Sequence, residues 1–252
     1  MASIRDLFLR DGYLVCKWIF DVKDIKSCRE EILNYVDKSI RTIPSNGISI
    51  VDFVGRDILP ETTKLMKNKR LHNLLKNIFG GDDYRFCSHN DIGINRTVGW
   101  HKDKLNNEYV KYETIPIWST YEGEKHEIVK VLIYMQDHSD NDNALKIATG
   151  THLNPSITGK NCIQTNPGLG DIIIFDQRID HCGMLQQINT PRILVSFGFG
   201  KNNAFTDNFE EGTIARQNTQ NKKLIKKSIN NDINLCSKLE QLHQLKGIRI
   251  IN

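Results

Sequence analysis

Arg192-Ile193-Leu194-Val195-Ser196-Phe197-Gly198-Phe199-Gly200 reads as one β-strand with two unlike faces. Side chains alternate along a strand, so Arg192, Leu194, Ser196 and Gly198 share one face, and Ile193, Val195, Phe197 and Phe199 share the other. The second set is wholly apolar and belongs against a core. The first mixes a cation, a hydroxyl and a glycine, and would look into the lumen of a double-sheet barrel while the apolar face packs under helices. Upstream, residues 84–95, 128–135, 143–149 and 171–176 read as further strands, with other short ones between them. Short strands separated by turn-rich segments argue for a sandwich or jelly roll.

Ahead of these strands the periodicity is helical. A short helix over 4–10 and a strand over 13–20 precede a helix over about 22–37, in which Ile25, Cys28, Ile32, Leu33 and Val36 recur at helical spacing behind an Asp21 N-cap. Residues 60–79 form a second helical region, opened by Pro60 and stopped by Gly80-Gly81. The stretch 104–125 has no clear period and carries Tyr109, Tyr112, Trp118 and Tyr121 among charges, as a lid or substrate loop would. Beyond Lys201 the chain turns Asn-, Gln- and Lys-rich, then shows a helix over about 232–246 with Leu235, Leu239, Leu242 and Leu245 on one stripe. The fold class is mainly β with flanking helices. A single domain comprises helical support over 1–82, a jelly-roll core over 83–200 and a C-terminal helical extension over 201–252.

Composition limits the function classes. The 252 residues are 39% hydrophobic and 25% charged, with a net charge of only +4. A dedicated nucleic-acid binder would gather its basic residues on one face. The nearest approach, Lys222-Lys223-Leu224-Ile225-Lys226-Lys227, reads as a solvated helix face. Six cysteines (Cys16, Cys28, Cys87, Cys162, Cys182 and Cys236) are widely spaced without a CxxC pair, as in a reducing compartment. No apolar run approaches the ~20 residues that span a bilayer, and no leader pattern is present, so the expectation is a cytoplasmic protein with no membrane or nucleic-acid partner. Oligomeric state is not encoded in any pattern.

The chemistry begins at His101-Lys102-Asp103. Residues two apart on a strand project to the same side, so an imidazole and a carboxylate face one point. His181, from a strand distant in sequence, can complete a three-cornered face on one metal ion. Two imidazoles and a carboxylate suit ferrous iron and leave positions open for a co-substrate and dioxygen. Arg192 adds a forked cation of the kind a chelating 2-oxo acid needs at its far carboxylate. Cys182 beside His181 is set aside as a ligand, because adjacent strand residues point to opposite faces. A lone histidine is more often a packed side chain than a ligand; four such elements in order, on strand-like runs, reverse that balance.

Further segments fit the same pattern. Leu7-Phe8-Leu9-Arg10-Asp11-Gly12-Tyr13-Leu14-Val15 looks like an "F-x-x-D-G-Y-x-V" opening, and Trp100-His101-Lys102-Asp103 like a "W-H-x-D" ligand segment. Ala144-Leu145-Lys146-Ile147-Ala148-Thr149-Gly150-Thr151-His152 is similar to "L-x-x-x-P-G-S-H". Gly170-Asp171-Ile172-Ile173-Ile174-Phe175, His181 and Pro191-Arg192 follow a "G-D-x-x-x-F … H … R" closing signature. Through these motifs the chain, from about Leu7 to Gly200, resembles the phytanoyl-CoA dioxygenase-like family of iron(II)- and 2-oxoglutarate-dependent oxygenases. It departs at Thr149, where the family usually has Pro, at Thr151 for Ser, and at Asn143 near a usual Gly; none of these is a ligand.

The resemblance implies a double-stranded β-helix (jelly-roll, cupin-like) core. It also implies a metal set of His101, Asp103 and His181 holding Fe(II), with Arg192 on the distal carboxylate of 2-oxoglutarate. The implied reaction hydroxylates a C–H bond of a small molecule with dioxygen, giving succinate and carbon dioxide. A carboxylate at Asp103 leaves no coordination place for a halide, which favours hydroxylation over halogenation. Ser196 on Arg192's face and Asn90 on the preceding strand are candidate co-substrate contacts, against the plainer readings of a backbone-bonded Ser and a half-exposed polar residue. His152 in its turn is a candidate to act behind the ligands, against the plainer reading of turn packing. Lys102, Lys104 and Lys111 near the mouth could favour an anionic substrate. The alternative function is a non-catalytic, metal-bearing jelly-roll sensor or binding protein.

Overall fold

The computed structural model describes residues 2–39, 43, 47–103, 115–183 and 190–231, with side chains through residue 220. The chain opens on helix α1 (Ile4–Asp11), whose start is a reciprocal cap: Ser3 Oγ accepts from the Asp6 N–H, and the Asp6 carboxylate accepts from the Ser3 N–H. Strand β1 (Tyr13–Cys16) is shorter than the sequence pattern suggests, because the backbone bends after Cys16 and Trp18 adopts φ 55°. Helix α2 (Val22–Ser39) buries Ile25, Cys28, Ile32 and Val36, the stripe read from spacing.

The helical region over 60–79 is broken into α3 (Pro60–Lys64), a 3-10 turn (Leu65–Lys67) and α4 (Lys69–Phe79). Asn68 causes the break. Its backbone is extended at ψ 129°, and its side chain accepts from the Arg70 and Leu71 N–H groups, starting a new helix. Gly80 ends α4 in the left-handed region at φ 76°, where a side chain would be strained.

The remaining strands are β2 (Ile48–Val51), β3 (Tyr84–Ile94), β4 (Val98–His101), β5 (Ile128–Tyr134), β6 (Leu145–Ala148), β7 (Cys162–Gln164), β8 (Ile172–Asp176), β9 (His181–Gly183) and β10 (Ile193–Lys201). They form a six-stranded sheet in the order β1-β8-β5-β10-β3-β2 and a four-stranded sheet in the order β4-β9-β6-β7. Every described pairing is antiparallel. The N-terminal segment thus gives the large sheet both of its edge strands besides its helical cover.

The two faces of β10 divide as alternation requires. Ile193, Val195, Phe197 and Phe199 enter the main core with Ile25 and Ile32 of α2 and Leu71 and Leu75 of α4. Leu194 packs on a second cluster between the sheets, where Leu132, Tyr134, Ile173 and Phe175 of the large sheet meet Leu145 and Ile147 of the small one.

Helix α5 (Ala204–Asn231) begins well before the helix read at 232–246, a stretch outside the described residues, as are Cys236 and residues 104–114 of the segment read as a lid. Asn203 caps it by accepting from the Thr206 N–H. The helix leans on β3, with Arg85 paired to Asp207 and Glu210, Arg216 paired to Asp91, and Phe209 packed on Cys87 and Ile128. Cys16, Cys28, Cys87, Cys162 and Cys182 are free thiols. No described helix is long and apolar enough to cross a membrane.

Candidate metal centre

Strands β4 and β9 are neighbours in the small sheet, with His101 directly opposite His181. Their rings lie 4.2 Å apart between centroids. Asp103 follows just past the end of β4, and its carboxylate closes the triangle: Oδ1 is 3.5 Å from His101 Nε2 and Oδ2 is 3.6 Å from His181 Nε2. One donor atom from each residue lies within 4.8 Å of the others, the spacing needed to share a single ion. Among the described residues this is the only such group of His, Cys, Asp and Glu. Cys182 is buried one position along β9 and lies outside it.

The orientation of the imidazoles matters as much as their distance. His101 Nδ1 lies 2.7 Å from the Gly99 carbonyl and His181 Nδ1 lies 3.1 Å from the Ile179 carbonyl. A carbonyl can only accept, so each Nδ1 carries the proton and each Nε2 presents its lone pair to the centre. The chemistry and spacing of the three side chains therefore fit a divalent ion.

The charges are arranged accordingly. Burial drives the His181 imidazole down to about 4, against the pull of the Asp103 carboxylate, which keeps it neutral and able to donate a lone pair. Burial opposes charge on Asp103 too, but Lys130, His181 and His101 together hold its carboxyl well below the usual range. At His101 burial works downward, yet the hydrogen bond and charge of Asp103 leave the imidazole raised. Lys130 was missed from sequence. It reaches Asp103 Oδ2 at 2.7 Å from β5, across the gap between the sheets. The signal was a single lysine in the apolar run Ile128-Val129-Lys130-Val131-Leu132, on the face that alternation shares with Leu132 and Tyr134.

Arg192 is buried at the entrance to β10, its guanidinium donating to the carbonyls of Asn143 (2.7 Å) and Arg96. It comes within 3.7 Å of the point a Cβ on Gly183 would take. Gly183 lies two residues beyond His181 on β9, so Arg192 stands on the donor set's side of that strand. Ser196 shares this face of β10, with its hydroxyl donating to the Asp91 carbonyl at 3.1 Å. Asn90 is not brought to the site. Its Oδ1 accepts from the Val54 N–H at 2.8 Å and its Nδ2 donates to the Ser88 carbonyl, on the face that β3 turns toward the helices with Ile92 and Ile94.

Two further expectations change. Lys102 does not stand at the mouth: its side chain is 0% exposed and pairs with Asp180 at 2.7 Å. The alternation that aims His101 and Asp103 inward aims Lys102 away from them. His152 is buried against α1, its Nε2 donating to the Leu9 carbonyl at 3.0 Å, so its part is to pack the turn. Lys104 and Lys111 lie outside the described residues.

No family model and no curated protein matches this chain. Solved structures do resemble it. AviO1 from Streptomyces viridochromogenes Tue57 shares 14% identity over 79% of this chain and 94% of its own, with a TM-score of 0.59. HygX from Streptomyces hygroscopicus, solved with nickel and 2-oxoglutarate bound, shares 16% over 77% and 85%, with a TM-score of 0.59. The non-heme alpha ketoglutarate dependent epimerase SnoN from nogalamycin biosynthesis shares 14% over 81% and 87%, again with a TM-score of 0.59. At such identities the likeness is one of fold.

Proposed function

We propose that this chain is an iron(II)- and 2-oxoglutarate-dependent oxygenase, similar to the phytanoyl-CoA dioxygenase-like family. In this reading its two sheets form a double-stranded β-helix. It hydroxylates a C–H bond of a small molecule with dioxygen, releasing succinate and carbon dioxide. The observation that carries the reading is the convergence of His101 Nε2, His181 Nε2 and an Asp103 oxygen, with both Nδ1 atoms already committed to carbonyls. The fold supports it, since HygX, described with nickel and 2-oxoglutarate bound, shares the architecture.

In this reading His101 and His181 hold the metal through Nε2. Asp103 would hold it through its carboxylate, which Lys130 steadies at Oδ2. Arg192 receives the distal carboxylate of 2-oxoglutarate, with Ser196 further along the same face of β10. When bound, the metal and the oxo acid supply the oxidising chemistry; the protein supplies position, charge and a dry wall made by Phe175, whose ring lies 4.7 Å from that of His181. A carboxylate at Asp103 would leave no place for a halide, so the product should gain oxygen whatever the chloride concentration.

Anaerobic titration of the metal-free protein should give one Fe(II) per chain, and added 2-oxoglutarate should bring up the charge-transfer band of a chelated oxo acid. His181→Ala should lose most of that iron. Full iron occupancy in His181→Ala, or no band in the wild type, would overturn the proposal. With substrate, mass spectrometry separates hydroxylation, which adds one oxygen atom, from epimerisation, which leaves the mass unchanged.

A further inference from the structure

The donor set sits on a very short ladder. Strand β9 is His181–Gly183, and its pairing with β4 is irregular between Val98 and His101. So few backbone bonds specify register weakly, and a slip of one residue would turn every side chain to the opposite face. Val98 and Gly99 of β4 are exposed, so packing does little to fix the start of that strand. Something else must hold His101 opposite His181.

Behind the histidines, on the other face of the same step, Lys102 stands across from Asp180. Both side chains are 0% exposed, and Nζ lies 2.7 Å from Asp180 Oδ1. Lys102 also donates to the carbonyls of Thr151 and Arg178, each at 2.7 Å, beside its ion pair with Asp180. Asp180 Oδ2 accepts from the Thr158 N–H at 2.7 Å and the Gly159 N–H at 3.2 Å. The Asp180 backbone is pinned as well, donating to Thr151 Oγ1 at 2.8 Å and accepting from the Ala148 N–H at 2.9 Å.

A buried ion pair is a poor source of stability, since an apolar pair of similar volume often does as well or better. It is a good source of uniqueness: breaking it strands a charge, so only the arrangement that satisfies every partner survives. Here a slip of β4 against β9 would withdraw Lys102 from Asp180 and from both carbonyls and drive its ammonium among the donors.

We infer that Lys102 and Asp180 form a register lock, positioning residues that set His101 opposite His181 before any metal arrives. The inference rests on the proposed metal site for its purpose, while the lock itself is made of protein groups alone. It is tested with Lys102→Met and with the isosteric Asp180→Asn, alone and combined, using Co(II) as the metal probe and ring-proton NOEs between His101 and His181 in the metal-free state. Each single change should weaken Co(II) affinity roughly ten- to a hundredfold, as loss of an outer partner does. Each should also abolish the NOE that the 4.2 Å ring separation predicts. The double variant should be no worse than the weaker single, because the two residues act as one unit. A folded Lys102→Met protein that keeps both the NOE and wild-type Co(II) affinity overturns the lock; if that variant does not fold, Asp180→Asn decides by the same readouts. A wild type that shows the NOE but takes up no Co(II) refutes the metal reading instead, and loss of the NOE in the variants then still supports the lock.

Discussion

The two sheets are held by different means. The large one is anchored by apolar bulk, with Phe197 fully buried between it and the helices and 5.7 Å from the Phe53 ring. The small one has strands of three or four residues and secures its contents with hydrogen bonds and ion pairs, as at Lys102 and Asp180. Apolar packing gives stability with tolerance for small shifts. Polar fixation gives little net stability but permits one geometry. A site in which donor atoms must agree to a fraction of an ångström belongs on the second kind of scaffold, backed by the first.

The sharpest way to break this contrast is Phe197→Ala. It should cost about 3–5 kcal/mol, read as a lower urea midpoint, while the fraction that remains folded binds metal as the wild type does. An equal loss of metal affinity in that folded fraction would show that the two regions are not separable.

On the opposite face of the same strand, Arg192→Ala should leave iron binding intact and weaken 2-oxoglutarate. A charge-assisted bidentate pair is worth on the order of 1.5–3 kcal/mol, or roughly ten- to a hundredfold in affinity. Arg192→Lys keeps the charge without the planar fork and should be impaired too. An unchanged 2-oxoglutarate titration in Arg192→Ala would assign the anchor to another residue.

The mildest change falls in the small sheet. Gly159 has φ +57°, and a Cβ there would come within 2.9 Å of the Trp100 ring, next to His101. Gly159→Ala should cost about 1–2 kcal/mol for the left-handed backbone alone. Thermal unfolding gives that cost, and Co(II) titration shows whether the push on Trp100 reaches His101.

Sequence reading went furthest where one rule governs a whole segment. Alternation in Arg192–Gly200 gave both faces of β10, and the two-residue offset in His101-Lys102-Asp103 gave two of the three clustered donors. It stopped where a side chain's partner lies far along the chain. Lys102 reads as a cation at the mouth because nothing in the sequence ties it to Asp180, its partner, although alternation turns it away from His101 and Asp103. Lys130 was hidden in an apolar run. Asn90 reads as a co-substrate contact in the sequence because the turn that claims it, Asp52 to Val54, has no signature tying it to β3. The break at Asn68 was legible as a cap, but Pro60 and Gly80 framed the region so cleanly that it read as one helix.

The grip of α5 on β3 has a consequence for ionic strength. The contact of Arg85 with Asp207 is exposed, whereas that of Arg216 with Asp91 is mostly enclosed. Raising salt from 0.01 to 1 M shortens the reach of charge from about 30 Å to about 3 Å. Exposed pairs fade under that change while enclosed ones persist. Concentrated salt will therefore weaken the Arg85–Asp207 contact before the Arg216–Asp91 one, leaving Phe209 on Cys87 and Ile128 as a tether that does not depend on charge.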